Sequence, residues 1–131
     1  MTYDNFTINA QEAILKAQQL AGSMEQQGVD TVHLIKGIIE TDEKLAEFLF
    51  SKMGVNMSIL KRDLNVQLEK YPKVQGGDKQ FLTSDANKAL AVAKKYLKET
   101  EDEFITLELM LLGAIEGNDK AATILKNLGA T

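Results

Sequence analysis

Apolar residues recur near the start of the chain at steps of three and four: Ala10, Ala13, Ile14, Ala17, Leu20, Ala21 and Met24. That period gathers them on one face of an α-helix. Thr7 precedes the face, where its hydroxyl can accept an unpaired backbone N–H of the first turn. The stripe returns as Ala86, Ala89, Leu90, Ala93 and Leu97, led by Thr83. Sliding the chain by 76 positions lays 6–49 on 82–125 without a gap, with Thr7, Ala10, Ala13, Ala17, Gly37, Glu40 and Leu49 falling on their own kind. One supersecondary unit is used twice, each copy burying its apolar face against the other.

The remaining elements follow from the same repeat. Second helices are expected over 31–40 and 107–116, each with a glycine, Gly37 or Gly113, inside its apolar run. A glycine there costs about 1 kcal/mol, which a close helix contact would justify. Third helices over 44–53 and 120–128 stop at Gly54 and Gly129 as left-handed C-caps. A fourth, 57–71, with Leu60, Leu64, Leu68 and Tyr71 on one face and Asn56 as its cap, follows the first copy alone. Thr131 falls where Asn56 stands in copy one, so the expectation is a trimmed chain whose eighth helix is cut off. The fold class is thus all-α, a pseudo-twofold double repeat of a four-helix motif with about seven helices present. Repeat one spans 6–71, a turn-rich connector 72–81, and repeat two 82–131. The alanine stripes predict that the two long helices cross near the centre.

A chain of 131 residues is long enough for one domain with a real core. Its 44% apolar and 26% charged residues are those of an ordinary globular protein. A net charge of −4 offers no basic field, so nucleic acid and anionic lipid are poor partners. The absence of cysteine removes disulfides and thiol catalysis. The polar start of the chain does not read as a signal peptide, and its apolar runs fall far short of the roughly 20 residues that cross a bilayer. The expected compartment is the cytoplasm, with the isolated domain a monomer.

Catalytic chemistry finds little to work with. Gly76-Gly77-Asp78-Lys79 and Gly117-Asn118-Asp119-Lys120 set glycine near lysine, but neither has the spacing or hydroxyl residue of a phosphate-binding loop. His33 is the only histidine, and it reads as an imidazole hydrogen-bonded near a helix start. The acidic run Glu99, Glu101, Asp102 and Glu103 reads as a solvated loop, so no metal site is expected. No nucleophile, base and orienting group come together, and the chain is expected not to be an enzyme. One surface stands out: Asp102 and Glu108 bracket Phe104-Ile105, an apolar strip with a carboxylate rim that suits extended, partly apolar polypeptide if Phe104 and Leu109 border a groove.

Phe6-Thr7 followed by Gln11-Glu12-Ala13, and then Thr31-Val32-His33-Leu34, resemble the opening of the Clp amino-terminal repeat family. Tyr71-Pro72-Lys73-Val74-Gln75-Gly76-Gly77 with Phe81-Leu82 is similar to the linker of its ClpB-type members, and 104–109 and 124–129 strengthen the match. The resemblance implies a non-catalytic, substrate-recognition domain tethered to a hexameric AAA+ ATPase, a stress-response chaperone that disaggregates proteins with the DnaK system. ATP and Mg would serve that parent protein, with no cofactor in this chain. It also implies that unfolded or aggregated polypeptide is engaged through Thr7, Asp102 and Glu108, with Leu90 and Leu109 lining an apolar groove. The alternative is a stand-alone Clp adaptor or accessory protein, or the adaptor-docking domain of a ClpA/ClpC-type unfoldase. That alternative is weakened where relatives carry Thr-Glu-His in both copies, since this chain has Thr31-Val32-His33 and Leu107-Glu108-Leu109.

Overall fold

Thr7 opens the first helix as expected: its backbone is extended and its Oγ1 accepts the Ala10 N–H at 3.1 Å. The computed structural model describes residues 3–75, 80–100 and 103–130. In chain order these form α1 (Ile8–Ser23), β1 (Gly28–Val29), α2 (Thr31–Thr41), α3 (Glu43–Lys52), α4 (Met57–Lys70), β2 (Phe81–Leu82), α5 (Ser84–Thr100), α6 (Leu107–Ile115) and α7 (Lys120–Asn127). The fold is all-α, with seven helices among the described residues. Asn56 caps α4 by accepting the Ile59 N–H at 3.0 Å, and Gly54 and Gly129 follow α3 and α7 at φ +77° and +106°. Those angles are open to glycine at no steric cost.

The two repeats are organised around α2 and α6, whose sequences are buried almost throughout and which touch each other at the centre. The alanine stripes do something other than expected. The face of α1 carrying Ala13 and Ala17 closes on Gly37 of α2, and Ala89 and Ala93 of α5 close on Gly113 of α6. A Cβ on either glycine would lie closer than 3.0 Å to the carbonyl oxygen of Ala13 or Ala89. Each long helix therefore forms a hairpin pair with the short helix of its own repeat. The expectation that α1 and α5 cross at the centre is corrected: small side chains on one helix matched a glycine on the next, and that match consumed the stripe.

The repeats are also stitched together by a contact the helical periodicity did not predict. β1 and β2 pair in parallel, Gly28 opposite Phe81 and Val29 opposite Leu82. Phe6 pairs in parallel with Ile105. These are images of one another under the internal repeat, since Phe6 corresponds to Leu82 and Val29 to Ile105. The Thr7 N–H donates to the Ile105 carbonyl at 2.9 Å and the Thr83 N–H to the Val29 carbonyl at 3.0 Å. Each repeat's lead-in strand is thus held by the other repeat. Phe81, read from sequence as the end of the connector, is already part of this clasp.

Candidate functional site

The Thr7–Ile105 clasp brings the start of α1 beside the start of α6. Between them lies an open cleft of ≈ 360 Å³ lined by Thr7, Ile8, Asn9, Leu45, Thr106, Leu107 and Glu108. Thr106 caps α6 by accepting the Leu109 N–H at 3.2 Å, which points the first turn of that helix, and Glu108 with it, at the cleft. A carboxylate there is favoured by the unpaired N–H groups of the helix start. Thr7 uses its oxygen as acceptor in the α1 cap; among the described residues no acceptor takes its O–H. Leu45 enters from α3 of repeat one, and with Thr106, Leu107 and Glu108 from repeat two the cleft draws on both repeats.

Thr7 and Glu108, named from sequence, are brought together here. Phe104 stands nearby in the chain, exposed ahead of the Thr106 cap. Asp102 lies outside the described residues, as does Glu101. Leu90 is 1% exposed and Leu109 8%, both within the main hydrophobic core, and neither is among the residues that line this cleft. Leu109 is buried because α6 is covered nearly all round.

Ile8 was missed, and it is the most exposed large apolar residue of the described chain, at 84%. At 100° per residue it projects almost opposite the alanine stripe, on the same side as Leu15, which is also exposed. An isoleucine off the buried stripe was the available signal. Asn9, Leu45, Thr106 and Leu107 were missed because the cleft they complete depends on the clasp.

Polar chemistry is concentrated at the pseudo-twofold counterpart, the start of α2. There the Asp30 N–H donates to His33 Nδ1 at 3.0 Å while the Asp30 carboxylate takes the His33 backbone N–H, a reciprocal cap. The ring proton therefore sits on Nε2, facing Gln26 Oε1 at 2.7 Å, and Gln26 Nε2 donates to the Leu68 carbonyl at 2.6 Å. The Asp30 carboxylate also accepts the Tyr71 hydroxyl at 2.5 Å and the Thr83 hydroxyl at 2.6 Å. Burial holds the His33 imidazole below its ordinary value, against the opposing pull of Asp30, and burial with the Asp30 contact pushes the Tyr71 phenol well up. With its carboxylate so engaged, Asp30 is a structural hub. His33 is confirmed as a hydrogen-bonded imidazole at a helix start.

The Gly117–Lys120 stretch does not fit a nucleotide. Asp119 accepts the Ala122 N–H at 2.9 Å, so a carboxylate already occupies the start of α7 where a phosphate would bind. Among the described residues no helix is long and apolar enough to cross a membrane.

Comparison with known proteins gives these features a context. A family model for the Clp repeat (R) N-terminal domain matches residues 5–128. The Chaperone protein ClpB of Bacteroides thetaiotaomicron is 37% identical over 131 residues, covering 100% of this chain and 15% of its own length. That of Porphyromonas gingivalis is 34% identical with the same coverage of 100% and 15%. The chain thus spans a small part of the curated relatives it matches. Among solved structures, the Hsp104 N-terminal domain from Candida albicans superposes with a TM-score of 0.86 at 22% identity, over 98% of this chain and 84% of that one. The N-terminal domain of ClpD from Arabidopsis thaliana gives 0.74 at 23% identity, over 100% and 89%. At those identities the likeness is one of fold.

Proposed function

This chain belongs to the Clp repeat (R) N-terminal domain family, and on that footing we propose that it is the polypeptide-recognition domain of a ClpB-type disaggregase. It binds unfolded or aggregated segments at the cleft between the starts of α1 and α6 and helps deliver them to the pore of a hexameric ATPase. ATP and Mg act in the ATPase part of that larger protein, which works with the DnaK system in the cytoplasm. This domain supplies binding and no catalysis.

One observation carries the reading: Thr7 and Glu108, from different repeats, share a cleft with the protruding Ile8. An extended chain meets there an apolar side chain to cover, a hydroxyl to donate and a carboxylate to accept its backbone N–H groups. Phe104 belongs to the proposed surface, and Asp102 is proposed to take part on the family resemblance alone. An open cleft of this kind binds weakly, as a protein that must release each client requires.

The test titrates this domain with a labelled, permanently unfolded protein. Thr7→Ala, Ile8→Ser, Asp102→Ala and Glu108→Ala are compared with the parent sequence, each checked for fold by circular dichroism. Ile8→Ser removes apolar area worth about 1.5 kcal/mol, so Kd should rise about tenfold. Saturable binding that is weakened in folded variants supports the proposal. A folded domain that does not bind, or that binds equally well with Ile8 and Glu108 replaced, overturns it in favour of an accessory role.

A further inference from the structure

The hub at the start of α2 has no part in the proposed cleft, yet it fastens three segments that are distant in sequence. Asp30 caps α2, Tyr71 ends α4 where the connector leaves, and Thr83 caps α5, accepting the Ala86 N–H at 3.1 Å while it donates to Asp30. His33 sits at the back of this joint, fully buried, with its ring stacked on Tyr71 at 5.3 Å. The joint works only while Nδ1 carries a lone pair, because the Asp30 N–H points at it. Around the joint the connector is tied by three backbone bonds: Val74 N–H to Glu25, Phe81 N–H to Gln27 and Thr83 N–H to Val29.

We propose that His33 is an acid-released pin: a proton taken up on Nδ1 breaks the reciprocal cap and draws the Asp30 carboxylate off Tyr71 and Thr83. The connector and the β1–β2 clasp then loosen while the helices of each repeat stay formed. The new Nδ1–H cannot accept the Asp30 N–H, and the charge it brings is drawn to the Asp30 carboxylate, which until then held the two hydroxyls.

The surroundings set the response. The buried residues of α1, α3, α4, α5, α6 and α7 are all apolar, so they resist a charge on the ring. Against them stand the carboxylates of Asp30, Asp85 at the start of α5 and Asp119 at the start of α7, with oxygens within 4.8 Å of one another. Lys120 of α7 holds its ammonium 5.3 Å from the Tyr71 ring centre and opposes a second cation there. Burial keeps the pin closed at neutral pH, and the Asp30 carboxylate favours its opening in mild acid.

The experiment follows the His33 ring resonances and amide hydrogen exchange of this chain by NMR from about pH 7 to about pH 5, the range in which imidazoles titrate. The expected result is that protection of the Val74, Phe81 and Thr83 amides falls about tenfold per pH unit as pH drops from the ordinary imidazole value of 6.5 towards the His33 midpoint, and levels off below it. Amides inside α3 and α4 should keep theirs. In His33→Gln the step disappears. Tyr71→Phe, which removes one hydroxyl from Asp30, raises the His33 midpoint and lowers connector protection at neutral pH. It decides the matter if the glutamine variant does not fold. The proposal is overturned if His33 titrates with the connector amides unmoved, if all amides lose protection together, or if Tyr71→Phe changes neither quantity. A step that persists in folded His33→Gln would place the response on the three carboxylates and overturn it equally.

Discussion

At the start of α2 Asp30 caps the helix with a carboxylate while accepting hydroxyls from Tyr71 and Thr83; at the equivalent start of α6 Thr106 caps with a hydroxyl beside an open cleft. One cap supports other segments and the other supports one helix, so their removal should differ. Asp30→Ala strands the Tyr71 and Thr83 hydroxyls and the His33 backbone N–H, while the backbone bond to the imidazole remains, and should cost about 3 kcal/mol. Thr106→Ala should cost about 1 kcal/mol. Urea midpoints at unchanged m-value measure both. His33 adds a pH dependence whose sign is fixed by its burial. Its folded-state affinity for protons is below the ordinary 6.5, so its contribution to stability is complete above that pH and is lost as pH falls below it towards the folded value. Thermal melts across that interval should show Tm falling in the parent sequence and falling less in His33→Gln. The histidine's role as a hydrogen-bonded helix start was legible from its position; the partners Gln26 and Tyr71 were not, because they are 7 and 38 residues away in sequence.

Helices α1 with α2 and α5 with α6 meet backbone to backbone at Gly37 and Gly113. In an isolated helix Gly→Ala would be favourable by about 1 kcal/mol. Here the added methyl meets a main-chain carbonyl that cannot turn aside, so Gly37→Ala should cost 3 kcal/mol or more in net stability, roughly the upper end of overpacking penalties. Calorimetry on Gly37→Ala and Gly113→Ala checks this; an unchanged or raised Tm would mean the hairpins can separate cheaply. The extents of the helices were legible to within a residue or two, because stripe, cap and C-terminal glycine all agreed. The partner of each alanine stripe was not, since close packing is equally served by another alanine stripe or by a glycine. Leu90 and Leu109, given a groove role by the family resemblance, lie in the core, and periodicity alone does not say how far an apolar face is covered. Ile8 shows the converse, an apolar residue off the stripe and left in the open.

The two lead-in strands cross between the repeats and, together with the packing of α2 on α6 and of α4 on α7, hold the molecule as one unit. A fragment ending before β2 keeps β1 without its partner, and a fragment beginning at β2 lacks the Phe6 that pairs with Ile105. Separated halves should therefore show little helical signal in far-ultraviolet circular dichroism, and mixing them should restore part of it as the clasps re-form across two chains. Halves that melt cooperatively on their own would contradict this. The pseudo-twofold arrangement was legible as a repeat, but the clasp was not, since two residues of extended chain leave no periodic trace. Its geometry also bears on ancestry. If the copies were identical, the Phe6–Ile105 and Leu82–Val29 pairings would be one isologous contact, the kind that closes a symmetric homodimer. A gene encoding a single repeat would already have its mate in a second product of the same gene, and fusing the two end to end would preserve the joint while freeing each side to diverge: one into the Asp30 hub, the other into the open cleft.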